Sequence, residues 1–409
     1  MRGAGDALSV GERIAFYRRR RGMTQRVLAH LVGRSEDWLS KVERNERDLR
    51  RLDVLTEVAT ALRVSVGDLL GNPVLVEGER ATEDDLPAVR NALMSPRRLS
   101  STLFGSSVPR AAVDVDMVAR RTEHGWEDYQ RGQLGRVIAA LPGLISSAQV
   151  LEQSPPAAQR SRSWAVSARI HHLAATTLAK VGESDLAWMS AERAMSAAEQ
   201  SEDPLSLASA ARAGTHALLA VGRFDEAVEL GETAARWVSR QVRDNDPAAL
   251  SIVGMLYLRT AVAAARRQDR STTADLIGRA LTAAQQLGRD ENHWYTSFGP
   301  TNVELHRLST SLDLGDVLYV IDHGPEVDTT HLPVERSVSH QIDLARAYNY
   351  DARTDEALHE LLTAEQAAPQ IVRHNAVVRE TVKALHRRGH NNGTNKALIG
   401  LAERCRVIQ

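Results

Sequence analysis

The stretch from Thr24 to Glu43 carries the side chains best suited to reading another molecule. Thr24 and Ser35 can each cap a helix N-terminus, and Gly33 suits the left-handed residue that ends the first helix. Two short helices joined by a tight glycine-containing turn form a helix-turn-helix. The open face of the second helix then presents four polar residues, namely Glu36, Asp37, Ser40 and Lys41. Such side chains can reach base edges in a DNA major groove, so the pattern predicts base readout.

Basic and amide side chains close to this stretch suit the DNA backbone. The predicted phosphate contacts are Arg13, Gln25, Arg44, Arg47 and Arg50. They would add affinity that does not depend on sequence and that weakens with salt. Residues 1–51 hold 13 Lys or Arg against 7 Asp or Glu, whereas the rest of the chain holds 38 against 45. The N-terminal part of the chain, the head, is therefore basic, and the remainder, the body, is acidic. This asymmetry predicts double-stranded DNA as a partner of the head only.

The flanking sequence extends the helix-turn-helix into a domain. An amphipathic helix with Ile14 and Tyr17 inward precedes it, and helices over about 52–62 and 66–70 follow. Five helices over residues 8–71 resemble the XRE, or lambda-repressor-like, DNA-binding domain. The resemblance rests on Gln25, Ala29, Gly33, Ser35, Trp38, Leu39, Ser40, Val42, Glu43, Leu55, Ala59, Leu62, Val64, Asp68 and Leu69. Asn45 stands where that family usually has Gly, and Asn tolerates a positive φ.

Composition excludes several other classes of protein. Cys405 is the only cysteine, which rules out a disulfide within the chain and fits a reducing, cytoplasmic setting. We find no signal peptide and no apolar run near the length of a membrane span. We also find no zinc-protease, phosphate-loop, dinucleotide-binding or nucleophile motif. The sequence therefore predicts a protein that is not an enzyme and has no catalytic residue, metal or cofactor.

Beyond the head, residues 72–110 read as a linker with one short helix over about 85–94, and residues 111–409 read as amphipathic helices. Small residues recur in register at Ala187, Ala227, Ala274 and Ala357, and seven positions later at Ala194, Ala234, Leu281 and Ala364. Small residues at this spacing let paired helices pack closely, and helix pairs that need neighbours to cover them stack into a solenoid.

Gly182 and Gly222 stand at the turns within two units, as in tetratricopeptide (TPR) repeats, which this part resembles. The whole chain resembles XRE regulators with C-terminal TPR repeats of actinobacterial type, and its architecture is similar to that of peptide-sensing regulators of other Gram-positive bacteria. The resemblance implies an all-α fold, a five-helix head followed by a TPR-like α-solenoid of four to six repeats.

A TPR array usually binds its ligand on the concave face. The candidate ligand-binding residues are Arg212, His216, Trp294, Asn302, His306 and Asn349. Asn302 and His306 are four apart, so they share one face of a helix.

Two interpretations follow for the chain as a whole. In the first, a sequence-specific transcriptional regulator forms a homodimer through its solenoid ends and senses a peptide or small molecule. In the second, a TPR scaffold binds another protein while the head only holds it on DNA. The second interpretation predicts weak sequence preference and a dominant protein partner.

Overall fold

The fold is that of a computed structural model, and it is helical throughout the part of the chain that it describes. The described residues are 9–21, 23–47, 49, 52–62, 64, 69, 86–96, 103, 113–153, 157–242, 246–389, 396–405 and 407. Within these ranges the β structure is a single antiparallel bridge between Glu291 and Phe298. The predicted all-α class is confirmed.

Four helices of the head are described. They are α1 (Val10–Arg20), α2 (Gln25–Leu31), α3 (Glu36–Glu43) and α4 (Leu52–Leu62). The predicted caps are confirmed, because the hydroxyls of Thr24 and Ser35 each accept a backbone N–H at 3.2 Å. Gly33 and Asn45 adopt the expected positive φ, at 62° and 59°. Most of the predicted fifth helix lies outside the described residues.

The short helix predicted in the linker forms as α5 (Leu86–Leu93), but it belongs to the body. Leu86, Val89 and Leu93 are fully buried in the same core as the helices that follow. Arg90 pairs with Glu183 at 3.2 Å, which also fixes α5 to the body. The packed body therefore begins near residue 86, earlier than the predicted residue 111.

The body consists of six consecutive helix pairs and three closing helices among the described residues. The pairs are α6 (Val115–Gln130) with α7 (Leu134–Gln153), α8 (Arg160–Lys180) with α9 (Ser184–Ser201), α10 (Pro204–Ala220) with α11 (Phe224–Gln241), α12 (Pro247–Arg266) with α13 (Arg270–Leu287), α14 (Pro300–Asp313) with α15 (Val317–His323), and α16 (Val334–Tyr350) with α17 (Thr354–Ala367). The closing helices are α18 (Pro369–His374), α19 (Ala376–Gly389) and α20 (Lys396–Arg404).

Each pair turns at a residue of positive φ, which reverses the chain between its two helices. These residues are Gly132, Gly182, Gly222, Gln268, Gly315 and Ala352. The turns predicted at Gly182 and Gly222 are confirmed. The repeat is harder to see from sequence in the pairs that use Gln268 and Ala352, because these positions lack the glycine signal.

Most of the small residues that were predicted to recur in register are buried between helices. Ala187, Ala194 and Ala227 are fully buried, as are Ala357 and Ala364.

The alignment is wrong by one residue in α13. Ala274 is exposed there, and Thr273 and Ala280 occupy the buried positions instead. Thr273 is larger than Ala274, so an alignment that favoured small residues selected Ala274 instead.

The first helices of the six pairs form a closed ring. Along it, α6 packs on α8, α8 on α10, α10 on α12, α12 on α14, α14 on α16, and α16 returns to α6. A side-chain hydrogen bond from the Gly135 backbone to Gln370 adds to this closure. A Cβ at Gly132 would come within 2.7 Å of Ala368, so the two ends are in close contact. The ends predicted to be exposed and to form the dimer surface cover each other instead.

Two helices have the length and mean hydropathy of membrane spans, which the sequence reading missed. They are Leu134–Gln153 and Pro247–Arg266, whose most apolar windows are 56% and 78% buried inside the fold. Their apolar residues therefore form part of the core of the ring.

Candidate DNA interface and central cavity

Helix α3 presents the predicted base-reading residues on its outer side. Glu36, Asp37 and Lys41 are exposed, whereas Leu39 and Val42 on the opposite side are buried in the core of the head. Lys41 donates to Asp37 at 2.7 Å, one turn away. An exposed pair of this kind is worth only about 0.3–0.5 kcal/mol, so a base can replace the carboxylate.

Trp38 and Ser40 are half-buried beside these residues. Trp38 packs against the head core, and the Arg34 guanidinium lies 5.9 Å from its ring centre.

The predicted phosphate contacts divide into two groups. Arg44 and Arg47 are exposed just after α3, and Arg44 pairs loosely with Glu46 at 3.1 Å. Arg13 departs from the expectation, because it is only 7% exposed and donates to the Leu69 carbonyl at 3.0 Å. Burial lowers the pKa of Arg13, and its role is to fasten α1 to the end of the head. Arg50 lies outside the described residues.

A buried ion pair fixes the two helices of the motif against α1. Arg18 donates to both carboxylate oxygens of Glu43, at 2.6 and 2.8 Å. Gln25 donates to the same carboxylate at 2.8 Å through its amide nitrogen. That nitrogen carries a second N–H, so Gln25 keeps the capacity for one phosphate contact while it orients α3.

The sequence reading missed several exposed residues of the motif. Arg26 on α2 and Arg34 in the turn are exposed cations close to the predicted set. Val27 and Leu31 match the apolar spacing of a buried stripe, yet they are 46% and 56% exposed. Leu28 and Ala29 provide the buried contacts of α2 instead.

The ring of first helices encloses a cavity. Its wide part has a volume of about 320 Å³ and lies between α8, α10, α12, α14 and α16. A narrow branch of about 30 Å³ continues between α6, α10 and the loop before α14. His216, Arg259 and Arg336 line both parts, so the two spaces adjoin at these side chains.

One carboxylate in this cavity faces several cations. Glu335 is buried and accepts from Lys180 at 2.6 Å and from Arg336 at 2.5 and 2.6 Å. These cations hold the pKa of Glu335 well below its ordinary value against the opposing effect of burial. At the wide end, Arg346 pairs with Asp313 and Asp343, both at 2.8 Å.

Arg212 and Arg259 differ from these groups, because no described carboxylate pairs with either guanidinium. Burial, followed by repulsion from Arg259, lowers the pKa of Arg212 to about 9. Burial and repulsion from Arg336 lower the pKa of Arg259 to about 10. Both groups remain charged at neutral pH. The same burial and cations lower the pKa of His216 well below its ordinary value, so this imidazole is neutral.

The predicted ligand residues of the body separate in the structure. Arg212, His216 and His306 line the cavity, and burial lowers the pKa of His306 to about 3. Asn349 lies apart from it and accepts from Arg388 through both its backbone and side-chain oxygens, at 2.7 and 2.8 Å. Trp294 lies against Arg169, with 5.7 Å between guanidinium and ring, outside the cavity lining.

Asn302, on α14, anchors the preceding loop over 293–299, which borders the narrow branch of the cavity. Its amide nitrogen donates to the carbonyls of Thr296 and Ser297 at 3.3 and 2.8 Å. Trp294, Tyr295 and Ser297 all have positive φ, between 48° and 56°. Residues other than glycine adopt this conformation at a cost in free energy, and such strain often marks ligand sites. Asn302 therefore positions the wall of the cavity.

Arg259, Arg336, Glu335 and Lys180 were missed as cavity residues, although the sequence contains a signal for the first. Arg259 is the only charged residue of α12 before its final Arg266, within an otherwise apolar helix. A lone charge in a buried helix indicates an internal polar site. Arg212 interrupts α10 in the same way.

Comparison with known proteins agrees with the geometry of the head. Residues 9–70 match a family described as a helix-turn-helix domain. The immunity repressor protein of Bacillus phage phi105 is 29% identical over 129 residues, which cover 30% of this chain and 89% of the repressor. The chain is a DNA-binding regulator of the helix-turn-helix type.

A similar solved structure is that of PlcR from Bacillus thuringiensis in complex with the peptide PapR7 and DNA. The two chains are 10% identical, and the TM-score is 0.32 over 98% of this chain and 94% of that one.

Proposed function

We propose that this regulator binds DNA sequence-selectively as a homodimer in the cytoplasm, and that its body of diverged TPR repeats senses a ligand. The observation that carries DNA readout is the exposed face of α3, with Glu36, Asp37 and Lys41 directed away from the buried Leu39 and Val42. Lys41 donates to guanine and the two acids accept from cytosine. Exposed Arg44 and Arg47 add contacts to phosphate.

One recognition helix reads only a few base pairs, which is too little for selectivity across a genome. A two-fold dimer doubles the site and meets half-sites about one helical turn apart. The two ends of the body cover each other, so the dimer surface belongs to the outer face of the body or to the head. Sedimentation of the full chain, alone and on DNA with two half-sites, measures this stoichiometry.

A ligand-sensing role is supported by the cavity. At about 320 Å³, its wide part reaches the size of small-molecule sites in proteins. A solenoid that served only to hold two heads together would not need an internal space lined by charged side chains. A ligand can change DNA affinity only by its differential affinity for two states of the body.

Selection from random DNA with the full chain tests the reading role. We expect one enriched motif, and Lys41→Ala should relax a single position of it. Lys383→Ala, an exposed lysine of the body, serves as the control and should leave the motif unchanged. Binding without an enriched motif would support the scaffold interpretation instead.

A further inference from the structure

We propose that the central cavity binds a small organic anion with two or more negative charges on phosphate or carboxylate groups. This inference rests on the proposed sensing function and names the class of ligand. The anion would lie between Arg212 of α10, Arg259 of α12 and Arg336 of α16.

The charges of the cavity carry the first step. Lys180, Arg212, Arg259 and Arg336 face a single carboxylate, that of Glu335, which leaves an excess of three positive charges within this group of lining residues. The charged groups at the wide end compensate each other, since Arg346 and Arg266 pair with Asp313 and Asp343. A buried cation without a counter-charge is costly, and a bound anion provides that charge.

The neutral groups of the narrow branch carry the second step. Tyr129 and Trp126 are buried there, and neither the phenol oxygen nor the indole nitrogen has a partner among the described residues. An indole can only donate, and buried donors require an acceptor. Arg212 and Arg259 add guanidinium donors to the same branch. A ligand group rich in acceptor oxygens satisfies the two guanidinium groups, as a phosphate or carboxylate does, and it lies beside the unpartnered indole and phenol.

The size of the cavity carries the third step. The narrow branch of about 30 Å³ holds only a compact group, and the adjoining wide part of about 320 Å³ is large enough for the rest of a metabolite-sized molecule. First helices and residues 374–377 line the wide part, and its volume favours a small molecule over an extended peptide. Tyr295, whose ring stacks on Trp126 at 5.5 Å, closes the branch on the side of the strained loop.

The test uses the full chain with inorganic phosphate, pyrophosphate, citrate and adenosine 5′-monophosphate. Calorimetry and thermal unfolding are compared with sodium acetate at matched ionic strength. We expect at least one of the four to bind saturably and raise the melting temperature. Arg212→Met and Arg259→Met should each weaken that binding at least tenfold, whereas Arg279→Met, an exposed arginine on α13, should leave it unchanged. Arg212→Lys, which keeps the charge, should retain part of it.

Two results would overturn the inference. One is the absence of any effect beyond acetate for all four anions. The other is binding that survives both Arg212→Met and Arg259→Met, since the anion would then occupy another site such as the basic head.

Measurement of operator affinity distinguishes a failure of the anion site from a failure of the sensing function. If the anions bind the cavity but leave operator affinity unchanged, the anion site stands and sensing fails. If a fraction of culture extract alters operator affinity equally in wild type and Arg212→Met, sensing stands and the anion site fails. Capture of an uncharged peptide in the cavity would also exclude the anion.

Discussion

Arg212→Met removes a buried cation that no described carboxylate neutralises, so we expect it to stabilise the ligand-free protein. Burial is the main cause that lowers the pKa of Arg212 to about 9, well below the ordinary value of an arginine. Each pKa unit corresponds to about 1.4 kcal/mol, so keeping the guanidinium charged lowers the free energy of unfolding by on the order of 5 kcal/mol at neutral pH. Methionine keeps most of the packing of the arginine stem. Replacing buried ions with apolar residues stabilises proteins by about 1–4 kcal/mol, which sets the expected gain.

The size of this gain depends on pH in a defined direction. The folded-state pKa of Arg212 lies below the unfolded value, so the cost is fully present below about pH 9 and is lost as pH rises above it. The stability difference between Arg212→Met and wild type should therefore be constant from about pH 7 to 8 and smaller at about pH 10. The neighbouring charges are Arg259, Arg336 and Glu335, with the Tyr129 phenol also close.

Arg346→Met is the matched comparison, because this partly buried arginine has two carboxylate partners at 2.8 Å. Its removal leaves Asp313 and Asp343 without a shared counter-charge, which costs about 3–5 kcal/mol. Thermal unfolding without added anions measures both variants at one protein concentration. We expect the melting temperature to rise by about 2–6 °C for Arg212→Met and to fall for Arg346→Met. A fall of several degrees for Arg212→Met would show that its guanidinium is a structural contact and would refute the reasoning.

Three further predictions concern the head and the loop. Lys41→Ala should cost about 1–3 kcal/mol on the preferred operator in a fluorescence binding assay, and an equal loss on random DNA would contradict base readout. Glu43→Gln leaves Arg18 buried without its carboxylate, so limited proteolysis should cleave the head within an intact body. Glu46→Gln, at an exposed pair, is the control for that digestion. Asn302→Ala removes the hydrogen bond to the Ser297 carbonyl, so it should lower the free energy of unfolding by about 1–3 kcal/mol. Residues 293–299 should then become sensitive to protease. Unchanged protection of this loop would exclude the anchoring role.

The head could be predicted in detail because its signals are local. Thr24 and Ser35 each cap a helix through a backbone N–H three positions away, and Gly33 follows the end of α2 with a positive φ. Each of these choices depends on a few adjacent residues. Arg13 could not be assigned in this way, because its partner Leu69 is 56 positions distant.

The ring could not be predicted because its closure depends on contacts between the two ends of the body. Periodicity identified the helix pairs, yet no local pattern shows that α16 returns to α6. The cavity residues follow from that closure, since Tyr129 and Arg336 come from opposite ends of the body. Arg212 and Arg259 were accessible to sequence reasoning, as isolated charges within apolar helices. Asn349 shows the opposite case, a polar residue in a helix whose partner Arg388 gives it a structural role.

Closure of the ring also constrains how the body would transmit a signal. An open array can change curvature along its whole length, whereas a closed ring can change only by altering a contact between neighbouring helices. The cavity meets the seam of the ring, because Tyr129 lies on α6 and Arg336 on α16, and these helices contact each other. Under the proposed function, an anion held between Tyr129 and Arg336 would tie α6 to α16 and favour the closed ring over any opened form. Under the proposed function, this difference in affinity sets the limit on how far the ligand can shift DNA binding.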